Sequence, residues 1–455
     1  MEVLEIEYLC KNCGNIVHNN SIISKCPKCQ GIVWIKSFNE INRDYKVSLG
    51  EGNTPCIPSK RLGDVWGIKN LFFKDETHNP TNSFKDRAAA LLISHARSLE
   101  YTKVICASNG NQGASVAAYA SLEGMYCLNI IPEKIDVGKK AQMIAYNSDT
   151  LTKGTFADDA IQEALNPEYN TYYQCTPELN PLTIEGQKTI AYEILDQVGE
   201  IDGIIIPMGS GGLLISVWKG YQELYDLGQL SKIPKMIGVQ TQTYSPIVNK
   251  FRKIKEKKPP TDEEINSYAL GILVKEPFYG DLVIRALRET DGMAIAIQES
   301  LILNSTEELA RKEGIFAEPS SALTIAALNS LLQQNSIGKD EKIVCLITGS
   351  GLKTPYILEA LSTRAKTAGM GNILSTKLKI LSQIAISKEK GIYGSKLKEM
   401  MGSISLPAIY QHLKELEQKK LITRKKKEKG KLIYYIITDK GKKVLEALET
   451  LIALF

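Results

Sequence analysis

Residues 74–94 read Lys74-Asp75-Glu76-Thr77-His78-Asn79-Pro80-Thr81-Asn82-Ser83-Phe84-Lys85-Asp86-Arg87-Ala88-Ala89-Ala90-Leu91-Leu92-Ile93-Ser94. The Asn-Pro run is a turn signal, and an alanine-rich segment with strong helix propensity follows Ser83. The pattern predicts a helix opening at Ser83 with Lys85 at its mouth. A lysine whose amine is kept partly neutral by burial forms a Schiff base readily. The plainer alternative is a capping serine followed by a surface lysine.

Outward from this stretch, apolar runs end in glycine-rich turns that lead into helices. Lys103–Ala107 runs into Ser108-Asn109-Gly110-Asn111-Gln112-Gly113, and 201–207 runs into Met208-Gly209-Ser210-Gly211-Gly212-Leu213. Lys342–Ile347 ends in Thr348-Gly349-Ser350-Gly351. Segments 125–131, 138–145 and 155–165 continue the alternation, and Glu318-Pro319-Ser320-Ser321-Ala322 caps a further helix. Such alternation predicts an α/β fold. Strand, glycine turn and helix together cradle an anion, because the first helical N–H groups are unpaired. A plain βα turn is the alternative at each place.

A chain of 455 residues has room for two or three domains. No apolar run reaches the roughly 18 residues of a membrane span. The start, Met1-Glu2-Val3-Leu4-Glu5, lacks a signal-peptide layout, so a cytoplasmic location is expected. The formal net charge of +5 is unevenly spread. Residues 372–455 carry 18 Lys and Arg against 8 Asp and Glu, a balance of +10, which leaves −5 for the rest. A polyanion partner is therefore expected for the tail only.

Four of the nine cysteines form two Cys-x-x-Cys pairs, Cys10/Cys13 and Cys26/Cys29, separated by twelve residues. Four thiolates at this spacing suit a closed structural Zn2+ site. A redox role and disulfide pairing are the alternatives. His18 lies between the pairs, either as a replacement ligand or as a solvated loop residue. Cys56, Cys106, Cys127, Cys175 and Cys345 read as buried thiols.

The tail alternates in the same readable way. Helical spacing covers 377–387, 394–401 and 403–416, alternating strands cover 421–423 and 432–438, and a last helix starts at Asp439. Between the strands runs Arg424-Lys425-Lys426-Lys427-Glu428-Lys429-Gly430-Lys431.

The stretch around Lys85 resembles the cofactor-lysine motif of pyridoxal-phosphate enzymes of the tryptophan-synthase-β type, and most closely that of threonine synthases. The family pattern ends Pro-Thr-Gly-Ser-Phe-Lys-Asp-Arg; here Asn82 stands where the glycine is usual. Leu49-Gly50-Glu51-Gly52-Asn53-Thr54-Pro55 resembles the family's opening loop, which makes Thr54 a wall of the substrate site. Zinc ribbons precede the catalytic domain in some threonine synthases.

The resemblance implies a type II pyridoxal-phosphate fold, α/β with two open twisted sheets flanked by helices, to which the expected fold adds a small zinc ribbon and, in the tail, a winged-helix α+β domain. It implies pyridoxal 5'-phosphate on Lys85, with its phosphate on Gly209, Ser210, Gly211, Gly212 and Leu213. Asn111 then meets the cofactor's phenolic oxygen and Thr348 its ring nitrogen, while Ser108, Asn109 and Gly110 take the substrate carboxylate. A hydroxyl at the ring nitrogen favours elimination and replacement over transamination. Lys85 would serve as general base and acid on the substrate carbons.

The resemblance breaks at one place. Pro181-Leu182-Thr183-Ile184-Glu185-Gly186-Gln187-Lys188-Thr189 lacks the family's arginine, replaced by Thr183, and the family's Asn-Ser pair corresponds to Pro177 and Glu178. Those side chains hold the phosphate of O-phosphohomoserine in threonine synthases, and Ser210 replaces a further contact. A carboxylate repels a dianion and a lost arginine removes a bidentate contact. Either other groups hold the phosphate, with Lys153 and Lys188 as candidates, or the substrate carries none.

The tail resembles a winged helix-turn-helix of the MarR or PadR type. Its third helix would put Ser405, Tyr410 and Gln411 near bases, and Arg424, Lys425, Lys426 and Lys427 on phosphates of double-stranded DNA. A dimerisation module is the alternative. The expected organisation is a ribbon over 1–38, a catalytic domain over 39–361, a linker over 362–375 and the winged helix over 376–455. A homodimer acting on a small amino acid is expected. The activity is nominally threonine synthase; the alternatives are a threonine or serine dehydratase-like lyase and a transcriptional regulator that senses an amino acid.

Overall fold

The computed structural model describes residues 6–19, 21–38, 41–254, 267–357, 376–387, 391–401, 406–426 and 433–453. The proposed linker, Ser405 and Lys427 lie outside them. The chain forms two compact units, Met1–Glu359 and Ala360–Phe455.

The first unit opens with β1 (Ile6–Cys10), β2 (Ile16–Asn19) and β3 (Val33–Phe38), an antiparallel sheet in the order β2-β1-β3. In chain order the body adds β4 (Cys56–Pro58), β5 (Asn70–Asp75), β6 (Lys103–Ala107), β7 (Tyr126–Ile131), β8 (Asp149–Thr152), β9 (Tyr173–Gln174), β10 (Gly203–Pro207), β11 (Lys235–Thr241), β12 (Met293–Ile297) and β13 (Lys342–Ile347). These make two sheets, β12-β11-β10-β13-β5-β4 and β8-β7-β6-β9. All neighbours are parallel except β4 against β5.

Why these segments pair in parallel follows from their composition. Ile204, Ile205, Ile206, Val344, Cys345 and Leu346 are fully buried. Strands covered by helices on both faces read as continuous apolar runs, the mark of a parallel sheet. The α/β expectation with two helix-flanked sheets holds. The edge strand β8 was not foreseen, because Asp149-Thr150-Leu151-Thr152 has no apolar run.

The ribbon shares the body's interior. Ile6, Tyr8, Cys10, Val33 and Ile35 belong to one core with Ala88, Ala89 and Leu92 of the Lys85–Ser98 helix. Trp34 meets Trp218 with ring centroids 5.9 Å apart, and the Lys11 ammonium sits 3.5 Å over the Trp34 ring.

The second unit carries helix Thr376–Ile386, β14 (Ile392–Tyr393), helices Gly394–Met401 and Leu406–Gln418, then β15 (Ile422–Lys426), β16 (Ile433–Ile437) and helix Asp439–Ala453. The short β14 pairs with β16, giving the order β14-β16-β15. Ile380, Leu381, Ile384, Leu397, Ile409 and Leu413 form its own core. One expectation is corrected here. Arg424–Lys426 are not at a hairpin tip; they lie within β15, opposite Tyr435, Tyr434 and Ile433.

Candidate functional site

Parallel strands leave their functional groups at one end of a sheet, where loops emerge from the strand carboxyl ends. Here β5 leads to the Lys85 turn, β13 to Thr348, and β10 to Gly209–Gly212; these three strands are neighbours. From the smaller sheet, β6 leads to Ser108–Asn111 and β9 to Pro177 and Glu178. All of these residues line a single cavity of about 660 Å³, a size suited to a small ligand.

The predicted turn before Lys85 is present, and its odd residue has a reason. Asn82 has φ +60°, the left-handed region, which asparagine tolerates better than most residues. The helix itself runs Lys85–Ser98. Ser83 pairs with Gly349 in an isolated bridge, the Phe84 N–H donates to Thr348 O (3.1 Å), and the Ser350 N–H to Asn82 O (3.1 Å). The lysine turn and the Thr348 turn are thus stitched together. Lys85 Nζ lies 4.8 Å from the Phe84 ring centroid, and burial pushes its pKa below the ordinary lysine range, with Glu178 partly offsetting this.

Both glycine turns end in helices whose N-cap residue is a glycine. Gly110 (φ +124°) precedes helix Asn111–Leu122, and Gly211 (φ +95°) precedes helix Gly212–Asp226. A side chain at Gly211 would put its Cβ 2.5 Å from Val283 Cγ2. Both helix starts lie among the lining residues, and the N-terminal end of a helix dipole favours anions. Ser108 Oγ accepts from the Gly110 (3.2 Å) and Gly113 (2.9 Å) N–H groups and so shapes the first turn.

Glu318 is a participant that sequence reading took only as a helix cap. It lines the cavity, and Asn111 Nδ2 donates to both its oxygens (3.2 and 3.1 Å). Asn111 Oδ1 is buried and lacks a protein partner, so this amide is short of one hydrogen bond. Lys139 Nζ lies 3.1 Å from Glu318 and 2.7 Å from Asp136. Burial opposes the charge on Glu318, but Lys139 and Lys353 more than offset it and hold its pKa below the carboxylate norm. Thr348 Oγ1 is 2.7 Å from Ser321 Oγ. Only the long-range fold brings Glu318 here; no local motif marks it.

The wall opposite is acidic. Glu178 lines the cavity beside Thr183, Ser210 and Tyr279, and burial raises its pKa while Lys85 and the Ser210 hydroxyl pull it back. Ser210 Oγ also accepts from the Phe278 N–H at 3.1 Å. Neither lysine suggested as a phosphate ligand lies among the lining residues. Lys153 pairs with Glu163 (2.9 Å) at a separate depression, and Lys188 pairs with Glu185 (2.7 Å) and Glu223 (2.9 Å). Each is committed to carboxylates; Glu185 lies three residues before Lys188 on the same helix, while Glu163 and Glu223 are brought in from further along the chain.

Thr54 is also placed elsewhere. It is buried outside the cavity lining, where its hydroxyl donates to Glu76 (2.6 Å) and accepts from Arg87 Nη2 (3.1 Å). Arg87 grips Glu76 at 2.7 and 2.8 Å and Glu193 at 2.5 and 2.7 Å, and Lys74 adds a 2.6 Å contact to Glu193.

A model of pyridoxal-phosphate dependent enzymes matches residues 47–349. Those residues span both sheets and all of the cavity lining except Ser24 and Lys25. The chain belongs to the pyridoxal-phosphate dependent enzyme family. Within it, the chain is 40% identical over 318 residues to the threonine synthase of Methanocaldococcus jannaschii, covering 68% of this chain and 77% of that protein. It is 34% identical over 376 residues to the threonine synthase of Methanosarcina acetivorans, covering 76% and 92%. Maize serine racemase superposes with a TM-score of 0.59 at 22% identity, over 70% of this chain and 94% of that one, and shows the shared fold. This pyridoxal-phosphate enzyme carries in addition an HxlR-like helix-turn-helix match over residues 373–455.

The four ribbon cysteines converge as predicted, with all their sulfurs within 4.8 Å of one another. Cys10 and Cys29 sulfurs are 3.5 Å apart and those of Cys13 and Cys26 3.9 Å. All four are free thiols rather than disulfides. His18 is exposed beside Glu7, outside the cluster. In the tail, Tyr410 is exposed and its ring covers Gly394, while Gln411 bonds Glu415. Arg424 Nη2 is 2.6 Å from Glu417, so this cation is already paired. No described helix is long and apolar enough to cross a membrane.

Proposed function

We propose that this enzyme carries out elimination and replacement at the side chain of a small L-amino acid, with O-phosphohomoserine as substrate and threonine as product. The observation that carries the reading is that Lys85 shares one cavity with two glycine-led helix starts, Asn111 and Thr348. Its threonine synthase relatives support it. The cavity also fits pyridoxal 5'-phosphate: the unpartnered Asn111 Oδ1 marks an unfilled polar position, and the Gly209–Gly212 turn has no room for side chains at Gly211. Lys85 would hold the cofactor, the amides of Gly209, Ser210, Gly211, Gly212 and Leu213 its phosphate, and Asn111 and Thr348 its ring. When bound, the cofactor supplies an electron sink for carbanion chemistry. The chain's own part is to hold the substrate carboxylate on Ser108, Asn109 and Gly110, to exclude water, and to move protons at the substrate carbons with Lys85. Phosphate and threonine release from O-phosphohomoserine by the purified, cofactor-loaded protein tests this, with threonine, serine and O-phosphoserine run alongside.

A second reading rests on Glu178. A carboxylate in the wall suits an unphosphorylated hydroxy-amino acid, as in a dehydratase. Ammonia and keto-acid formation from threonine or serine, without phosphate release from O-phosphohomoserine, is its signature.

The ribbon is read as a structural Zn2+ site. A tetrahedron with bonds of about 2.3 Å needs sulfurs about 3.8 Å apart, close to the 3.5 and 3.9 Å observed. One metal per chain is expected in elemental analysis, and its removal by a chelator should lower the melting temperature by several degrees. An unchanged melting curve after verified metal loss would remove the structural role.

The tail is read as a duplex-DNA binder. Its affinity is expected to fall by about 10-fold or more between low and physiological salt, and to vanish on deletion of residues 372–455. Gel-shift titrations at two salt concentrations measure both.

A further inference from the structure

We infer that Lys25, on the four-cysteine ribbon, is the cation that holds the substrate's phosphate. This deepens the O-phosphohomoserine reading and rests on it. The ribbon is not remote from the chemistry: Ser24 and Lys25 line the same cavity as Lys85. Lys25 Nζ stands 5.8 Å from the Phe278 ring centroid, and the Phe278 N–H is bonded to Ser210 of the second glycine turn.

The charges around the cavity leave few candidates. Among the described lining residues there is no arginine, and the cations are Lys25, Lys85 and Lys139. Lys85 is the cofactor lysine. Lys139 is committed to Asp136 and Glu318. Lys25 makes no ion pair with a described residue and remains exposed. A phosphate dianion close to Glu178 needs a cation beside it, since like charges at contact distance repel. Lys25 is the one described lining cation left uncommitted, and it approaches this wall through Phe278, whose N–H bonds the same Ser210 that bonds Glu178, so its ammonium offsets the Glu178 charge where a phosphate would sit. A lysine point charge is a sufficient phosphate ligand.

Lys25 is also held in place. It pairs with Ile32 in an isolated bridge, the Val33 N–H reaches Ser24 O (3.4 Å), and the Cys26 N–H reaches Gly31 O (2.8 Å). Cys26, the next residue, is buried and belongs to the four-sulfur cluster. On the body side, Lys219 Nζ donates to Ile35 O and Arg285 to Lys11 O (3.2 Å), which fixes the ribbon against the cavity.

The test uses the cofactor-loaded full chain with Lys25→Ala and Lys25→Arg. Lys25→Ala should raise KM for O-phosphohomoserine about 10-fold or more while kcat changes less than about 3-fold, because the contact is made equally in ground and transition states. Calorimetric binding of a non-hydrolysable phosphonate analogue should weaken by the same factor, and Lys25→Arg should restore both. A wild type that turns over O-phosphohomoserine, with KM and phosphonate affinity within about 2-fold in Lys25→Ala, overturns this assignment alone. A wild type that neither releases phosphate nor binds the phosphonate overturns the assignment and the substrate reading together.

Discussion

Replacing Lys85 with alanine should lower turnover by at least about 10³–10⁴-fold, the range expected when a group that both anchors a cofactor and moves protons is lost. The visible absorbance of the cofactor-loaded protein should disappear with it. The fold should survive, since the lysine turn is held by backbone bonds from Phe84 to Thr348 and from Ser350 to Asn82, none of which uses the Lys85 side chain. Circular dichroism and a melting curve separate the two effects. A Lys85→Ala protein that keeps its visible absorbance and a tenth of its turnover would end the case for this residue. Thermal unfolding within a few degrees of wild type, with activity gone, is the expected pattern.

The second large effect concerns stability. Arg87 lies almost wholly buried between Glu76 and Glu193, with four contacts to their oxygens of 2.5–2.8 Å. Truncation to alanine strands two carboxylates, and breaking such a buried pair costs about 3–5 kcal/mol. Arg87→Ala is therefore expected to unfold at markedly lower denaturant than wild type, a shift read directly from urea titrations. A change below about 1 kcal/mol would mean that the network is solvated rather than buried.

The same network sets an acid limit. Burial alone would raise the Glu193 pKa, but Arg87 and Lys74 hold it at about 2 against an ordinary 4.5. A depressed carboxylate contributes its stability above its unfolded pKa. That contribution, on the order of 2–3 kcal/mol, should drain away as pH falls from about 4.5 toward 2. In Arg87→Ala the slope of stability against pH in this window should flatten.

Much of the fold was legible because its signals are local. Apolar runs such as Lys342–Ile347 became strands with those bounds, and the glycine turns after β6 and β10 became helix starts facing one cavity. Even the departure at Asn82 was explicable once its φ of +60° was known. What escaped was set by distant partners. Thr54 looked like a substrate wall, yet Glu76 and Arg87 claim its hydroxyl across 22 and 33 residues. Lys153 and Lys188 looked free until Glu163 and Glu223 were found beside them. Glu318 and Lys25 reach the cavity only because two sheets and a ribbon meet there. In the tail, Arg424 read as part of a basic tip, while ladder pairing with Tyr435 extended the strand through it.

The shared interior of ribbon and body bears on where this chain tolerates a cut. Scissors placed near residue 39 would strip Trp34 from Trp218 and uncover Ala88, Ala89 and Leu92 of the very helix that begins at Lys85. A minimal fragment made that way would expose a wet, sticky flank on the helix that carries Lys85. The tail, by contrast, closes around its own apolar centre of Ile380, Leu397, Ile409 and Leu413. The amino-terminal ribbon thus travels with the enzyme.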